Sequence, residues 1–177
     1  MSSDSPTKGF RLNHVGLRVV DLDKSIEFYS GVFGMKELHR MSLETVTIVF
    51  LGYADALVAD IPMLAQQGAL ELVCPKDSTE AIKGSSEHVD SRYVKLGFTV
   101  PDMDTAMTYI RSHNIDILKD VGTTVGSEVV ASFLGCETPE KGHDKSLWEA
   151  VVPIPFVQDP DGYLIEIIPH SGELVTE

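Results

Sequence analysis

The stretch HVGLRVVDLDKSIEFY, residues 14–29, recurs in the same chain as KLGFTVPDMDTAMTYI, residues 95–110. Gly16 falls on Gly97, Leu17 on Phe98, Val19 on Val100, Asp21 on Asp102 and Asp23 on Asp104, at a constant offset of 81. A second pair follows. GALELVCP (68–75) resembles GYLIEIIP (162–169), and setting Glu71 on Glu166 lays ALELV on LIEII at an offset of 95. The second half therefore carries 14 extra residues (95 less 81), placed between about 118 and 160. Internal repetition decides architecture before any motif does.

Each copy has the same order of elements. Alternating apolar residues in LNHVGLRVV and RYVKLGFTV predict a first strand. A helix follows, with Asp21 or Asp23 to cap DKSIEFYSGVF and Asp102 or Asp104 to cap DTAMTYIRSH. Ile26, Tyr29 and Phe33 are spaced for one buried face, and Gly34 and Asn114 suit the helix ends. Three strands come next: MKELHRMSL, TVTIVFLGY and GALELVC in the first copy, IDILKD, IPFVQD and YLIEIIP in the second. DPDG (159–162) predicts a tight turn before the last of them. The pattern is βαβββ, twice, an α+β arrangement. The reading places one domain over residues 1–177, with module one at 10–75, module two at 92–170 and an insertion at about 121–155.

Composition narrows the function. Apolar residues make up 43% and charged residues 23%, as expected of a folded chain. A net charge of −13 repels phosphate backbones and anionic lipid, which argues against nucleic-acid and membrane partners. No apolar run approaches the roughly 20 residues of a membrane helix. MSSDSPTKGF lacks the apolar stretch of a secretion signal, so a cytoplasmic location is expected. Cys74 and Cys136 make no disulfide framework and read as buried thiols. GFTVPD is not a phosphate loop, and no nucleotide cofactor is expected.

The repeat makes four ionisable residues equivalent in pairs: His14 with Lys95, and Glu71 with Glu166. A carboxylate inside ALELV is costly if buried without a partner, yet harmless on an open sheet face. Two such pairs, related by an approximate twofold, are expected to meet in one polar cleft. Arg18 lies four residues after His14 and shares its strand face. It reads either as a substrate contact or as a solvated arginine. His39, His113 and His170 fit no pattern and read as surface residues, while His88 and His143 fall in expected loops.

The blocks NHVGLRVVDLDKSIEFYSGVFGM, ALELV, LGFTVPDMD and FVQDPDGYLIEI resemble the glyoxalase I family, within the vicinal-oxygen-chelate superfamily. The resemblance spans about residues 10–170 and is most specific in FVQDPDGYLIEI. It implies two βαβββ modules forming one curved eight-stranded mixed sheet around a cleft. It also implies four ligands to a divalent metal (Zn, Ni, Fe, Co or Mn), one from the first and last strand of each module. Three of these positions match: His14, Glu71 and Glu166. The fourth is Lys95, a departure. By the same resemblance Glu166 is the catalytic base, Arg18 the residue that grips a substrate carboxylate, and the protein a homodimer. Pro75 stands where the family often has a polar amide.

Three readings of Lys95 compete. As a ligand it must lose a proton, at a cost of about 4.6 kcal/mol at pH 7 that a dication can offset. Left charged beside a metal on His14, Glu71 and Glu166, it is repelled by roughly 8 kcal/mol at about 4 Å and an effective dielectric near 20. Without a metal it sits between carboxylates, each pair worth about 4 kcal/mol before desolvation, and can hydrogen-bond an enolate. The insertion, rich in Gly, Ser, Thr and acidic residues, reads as a lid built on Phe133, Leu134 and Trp148 or as a surface excursion.

The expected function is a lyase or isomerase that moves a proton next to a carbonyl, on a small carbonyl compound or its glutathione adduct. An enzyme of the same fold acting on a non-glutathione metabolite, as a metal-free isomerase or cyclase or as a dioxygenase, is the alternative. A non-catalytic small-molecule binder is a third class. Losing the second histidine at Lys95 makes dioxygenase chemistry the less favoured enzyme.

Overall fold

The computed structural model describes residues 6–7, 10, 12–59, 67–76, 93–141 and 145–170; His88 and His143 lie outside them. The chain divides into two compact units, Met1–Glu80 and Ala81–Glu177. The first holds β1 (His14–Arg18), α1 (Leu22–Phe33), β2 (Lys36–Ser42), β3 (Val46–Gly52) and β4 (Ala69–Pro75). The second holds β5 (Leu96–Val100), α2 (Met103–Ser112), β6 (Ile117–Lys119), β7 (Phe156–Gln158) and β8 (Leu164–Pro169). The expected βαβββ order is present in both. The eight strands pair as two four-stranded mixed sheets, β1-β4-β3-β2 and β5-β8-β7-β6. In each, the first strand runs parallel to the last and the other pairings are antiparallel.

Local chemistry explains the elements. Asp21 caps α1 by accepting from the Lys24 amide at 3.1 Å, and Asp102 caps α2 by accepting from the Thr105 amide at 2.8 Å. Gly34 ends α1 in the left-handed region, at φ 69°. The buried face of α1 is Ser25, Phe28, Tyr29 and Val32, so the expected stripe of Ile26, Tyr29 and Phe33 is rotated toward Ser25. Ser25 tolerates burial because its hydroxyl donates to the Asp21 carbonyl at 3.0 Å. In the DPDG turn, the Asp159 carboxylate accepts from the amides of Asp161 (3.0 Å) and Tyr163 (2.8 Å).

The insertion is folded, not an excursion. It forms α3 (Ser127–Leu134) and α4 (Lys145–Val151). Val130, Ala131, Trp148 and Val151 join Ile154, Phe156 and Leu164 in one apolar cluster. Trp148 is therefore core, and Leu134 is 46% exposed, so neither serves the expected lid. Both ends of the insertion are pinned to β6. At one end, a Cβ on Gly126 would lie 2.0 Å from the Leu118 carbonyl oxygen, and φ is +85°. Only glycine allows that approach. At the other end, the buried Lys119 ammonium donates to the carbonyls of Ile154 (2.7 Å), Val152 (3.1 Å) and Asp120 (3.2 Å). Its three donors thus meet three acceptors.

Two stability predictions follow from this pinning. Gly126→Ala should cost about 2 kcal/mol or more, read as a lower urea midpoint, since it adds both strain and a clash. Burial pushes Lys119 down to about 8 from an ordinary 10.5. Between those values the unfolded chain binds the extra proton, so the lysine's contribution to stability rises with pH across about 8 to 10.5 and is flat below. Melting curves over that range should show the rise in the wild type and lack it in Lys119→Met.

Candidate active site

In module one, alternation along β1 places His14, Gly16 and Arg18 on one face and Val15 and Leu17 on the other, where Leu17 is buried. Gly16 pairs directly with Glu71 on β4, and Phe50 on β3 pairs with Glu71 from its other side. His14 Nε2 lies 3.5 Å from Glu71 Oε2. Its ring meets Phe50 edge to face, centroids 5.3 Å apart, and its Nδ1 is 2.6 Å from the Asn13 side-chain oxygen. Imidazole and carboxylate are both donor types that divalent transition ions accept, and one ion can reach both. Arg18 is exposed on that face.

Module two repeats the row. Gly97 pairs with Glu166 on β8, and Phe156 on β7 pairs with Glu166 from the far side. Lys95, one residue ahead of β5, donates from Nζ to Glu166 Oε2. The side chains are 29% and 14% exposed, so the contact is largely shielded from water. The same ammonium lies 5.3 Å from the Phe133 ring centroid and 5.8 Å from that of Phe156. Phe133 comes from α3, so this one member of the expected lid does reach the Lys95–Glu166 pair. An ammonium on the carboxylate does not suit a cation there, unlike the His14–Glu71 pair. Among the described residues, no three of His, Cys, Asp and Glu gather within a module to hold a metal.

Each module thus joins its two sequence-selected partners, His14 with Glu71 and Lys95 with Glu166. The sequence reading missed Phe50 and Phe156. Gly16 and Phe50 are 34 positions apart, Gly97 and Phe156 59; Phe50 and Glu71 are 21 apart, Phe156 and Glu166 only 10. The net 14 hides 25 residues gained and 11 lost, which breaks a simple alignment of the middle strands. Aligning TIVF with VPIPF by hand on their phenylalanines was the available signal.

Comparison with known proteins agrees with this fold. The family model described as Glyoxalase/Bleomycin resistance protein/Dioxygenase superfamily matches residues 11–167. A Vibrio cholerae relative named "Probable lactoylglutathione lyase" is 32% identical over 163 residues, 91% of each chain. The lactoylglutathione lyase of Schizosaccharomyces pombe is 28% identical over 97% of this chain, which spans only 51% of that protein. Among solved structures, the trypanothione-dependent glyoxalase I of Leishmania major matches with a TM-score of 0.61 at 28% identity, covering 92% of this chain and 88% of its own. Glyoxalase I of Zea mays matches at 0.59 and 26%, covering 89% of this chain and 44% of its own. The chain belongs to the Glyoxalase/Bleomycin resistance protein/Dioxygenase superfamily, within which it is a glyoxalase I-like lyase.

Proposed function

We propose that this lyase shifts a proton next to a carbonyl in the hemithioacetal of glutathione and a 2-oxoaldehyde, forming the thioester. The observation that carries the reading is the Lys95–Glu166 contact: a shielded carboxylate base held against an ammonium. Glu166 takes the proton from the carbon bearing sulfur. As charge moves to the neighbouring oxygen, Lys95 donates to it; the ammonium has three donors and one is given to Glu166. Glu166 then returns the proton to the adjacent carbon while the hydroxyl proton on the sulfur-bearing carbon passes to the neighbouring oxygen, so the thioester carbonyl forms and the reaction is an internal transfer with no net redox change. Arg18 anchors a carboxylate of the glutathione moiety.

His14 and Glu71 are the residues that would hold a divalent ion. Such an ion supplies Lewis-acid polarisation of a carbonyl oxygen. We place the enzyme in the cytoplasm as a homodimer. No helix among the described residues is long and apolar enough to cross a membrane.

One observation favours a second reading. Phe133, contributed by α3 in the insertion, sets an aromatic wall beside Lys95. A flat apolar carbonyl or phenol would use that wall in place of glutathione contacts. The deciding assay is thioester formation from methylglyoxal and glutathione. Turnover should be catalytic and fall by about 100-fold or more in Glu166→Gln with KM little changed. Full activity in Glu166→Gln would sink the assigned base, and no turnover in the wild type would move the function to the second reading.

A further inference from the structure

We infer that Gly16 and Gly97 are positioning residues: the space where each would carry a Cβ is the space in which the facing glutamate seats its carboxylate. A Cβ on Gly16 would stand 3.0 Å from Glu71 Oε2. A Cβ on Gly97 would stand 3.2 Å from Glu166 Oε1 and 3.3 Å from Ile168 Cδ1. These are tighter than ordinary van der Waals contact, so the carboxylate, the movable party, would have to shift.

Three features separate this from a glycine kept for its backbone. Neither residue is among the glycines with positive φ, so alanine costs no strain there. Both sit inside strands, where glycine weakens the element and marks a close approach. The register is the same in both modules, Gly16 on Glu71 and Gly97 on Glu166, although His14 and Lys95 differ. The shared pair is glycine and glutamate, so the clearance belongs to the carboxylate and not to its cationic or imidazole neighbour. In module two, displacing Glu166 by a few tenths of an ångström also loosens its contact with Lys95.

The inference rests on the proposed role of Glu166, so its test keeps the two apart. The coupling between Lys95 and Glu166 is measured from urea unfolding of Lys95→Met, Glu166→Gln and the double variant, with and without Gly97→Ala. In the wild-type background the coupling should amount to about threefold or more in the unfolding constant. In the Gly97→Ala background it should fall below half of that, with the melting temperature unchanged or raised because alanine narrows the unfolded ensemble. Turnover of the methylglyoxal–glutathione hemithioacetal should drop by about tenfold or more in kcat. Adding Glu166→Asp, one methylene shorter, should recover part of that loss. Equal coupling in both backgrounds overturns the inference, as does its absence from the wild type. So does a loss of stability in Gly97→Ala that Glu166→Asp leaves unchanged. A wild type without hemithioacetal turnover overturns the function assigned above, and the coupling comparison then decides this inference alone.

Discussion

The contact between the Lys95 ammonium and the Glu166 carboxylate sets the character of module two. Both groups are less than a third exposed, so neither recovers full hydration. At an effective dielectric near 20 their attraction is about 4 kcal/mol, a sum that desolvation largely cancels. Two apolar residues of similar volume would serve stability as well. What such residues would not supply is a carboxylate with a hydrogen-bond donor already beside it. The two rings near the ammonium, Phe133 and Phe156, keep water off one side and favour the cation through their faces.

The same row of residues has two chemical outcomes. Glycine, glutamate and phenylalanine occupy matching positions across three strands in each module. The fourth member differs: His14 brings an imidazole, while Lys95 brings an amine head already bonded to its glutamate. Module one therefore presents a pair suited to a divalent ion, and module two presents an ion pair that competes with one. The insertion reinforces the difference. It is docked by Gly126 and Lys119 at its ends and delivers Phe133 between them.

Much of this architecture was legible in the sequence because it is repeated. The constant offset of 81 located both first strands and both helices and narrowed each cap to two aspartates, and the match of Glu71 with Glu166 located both last strands. What escaped has identifiable causes. The helices of the insertion are short, and Gly and Ser around them mask their period. Lys119 in DILKD reads as a surface charge, because nothing local shows the Val152 and Ile154 carbonyls that satisfy it from 33 and 35 positions away. Phe50 and Phe156 were hidden by two opposite length changes. The rotation of the α1 stripe came from Ser25, whose local hydrogen bond makes a polar residue cheap to bury.

In the function proposed above, the Lys95 ammonium occupies Glu166 and withholds that carboxylate from a metal. Competition titration of Zn²⁺ or Ni²⁺ against a calibrated chelator, on wild type and Lys95→His, tests it most directly. Removing the charge and supplying an imidazole should raise divalent affinity by about tenfold or more, a modest share of the several kcal/mol of repulsion relieved. Equal affinity and stoichiometry in the two proteins would contradict the claim and make Lys95 a bystander to metal binding.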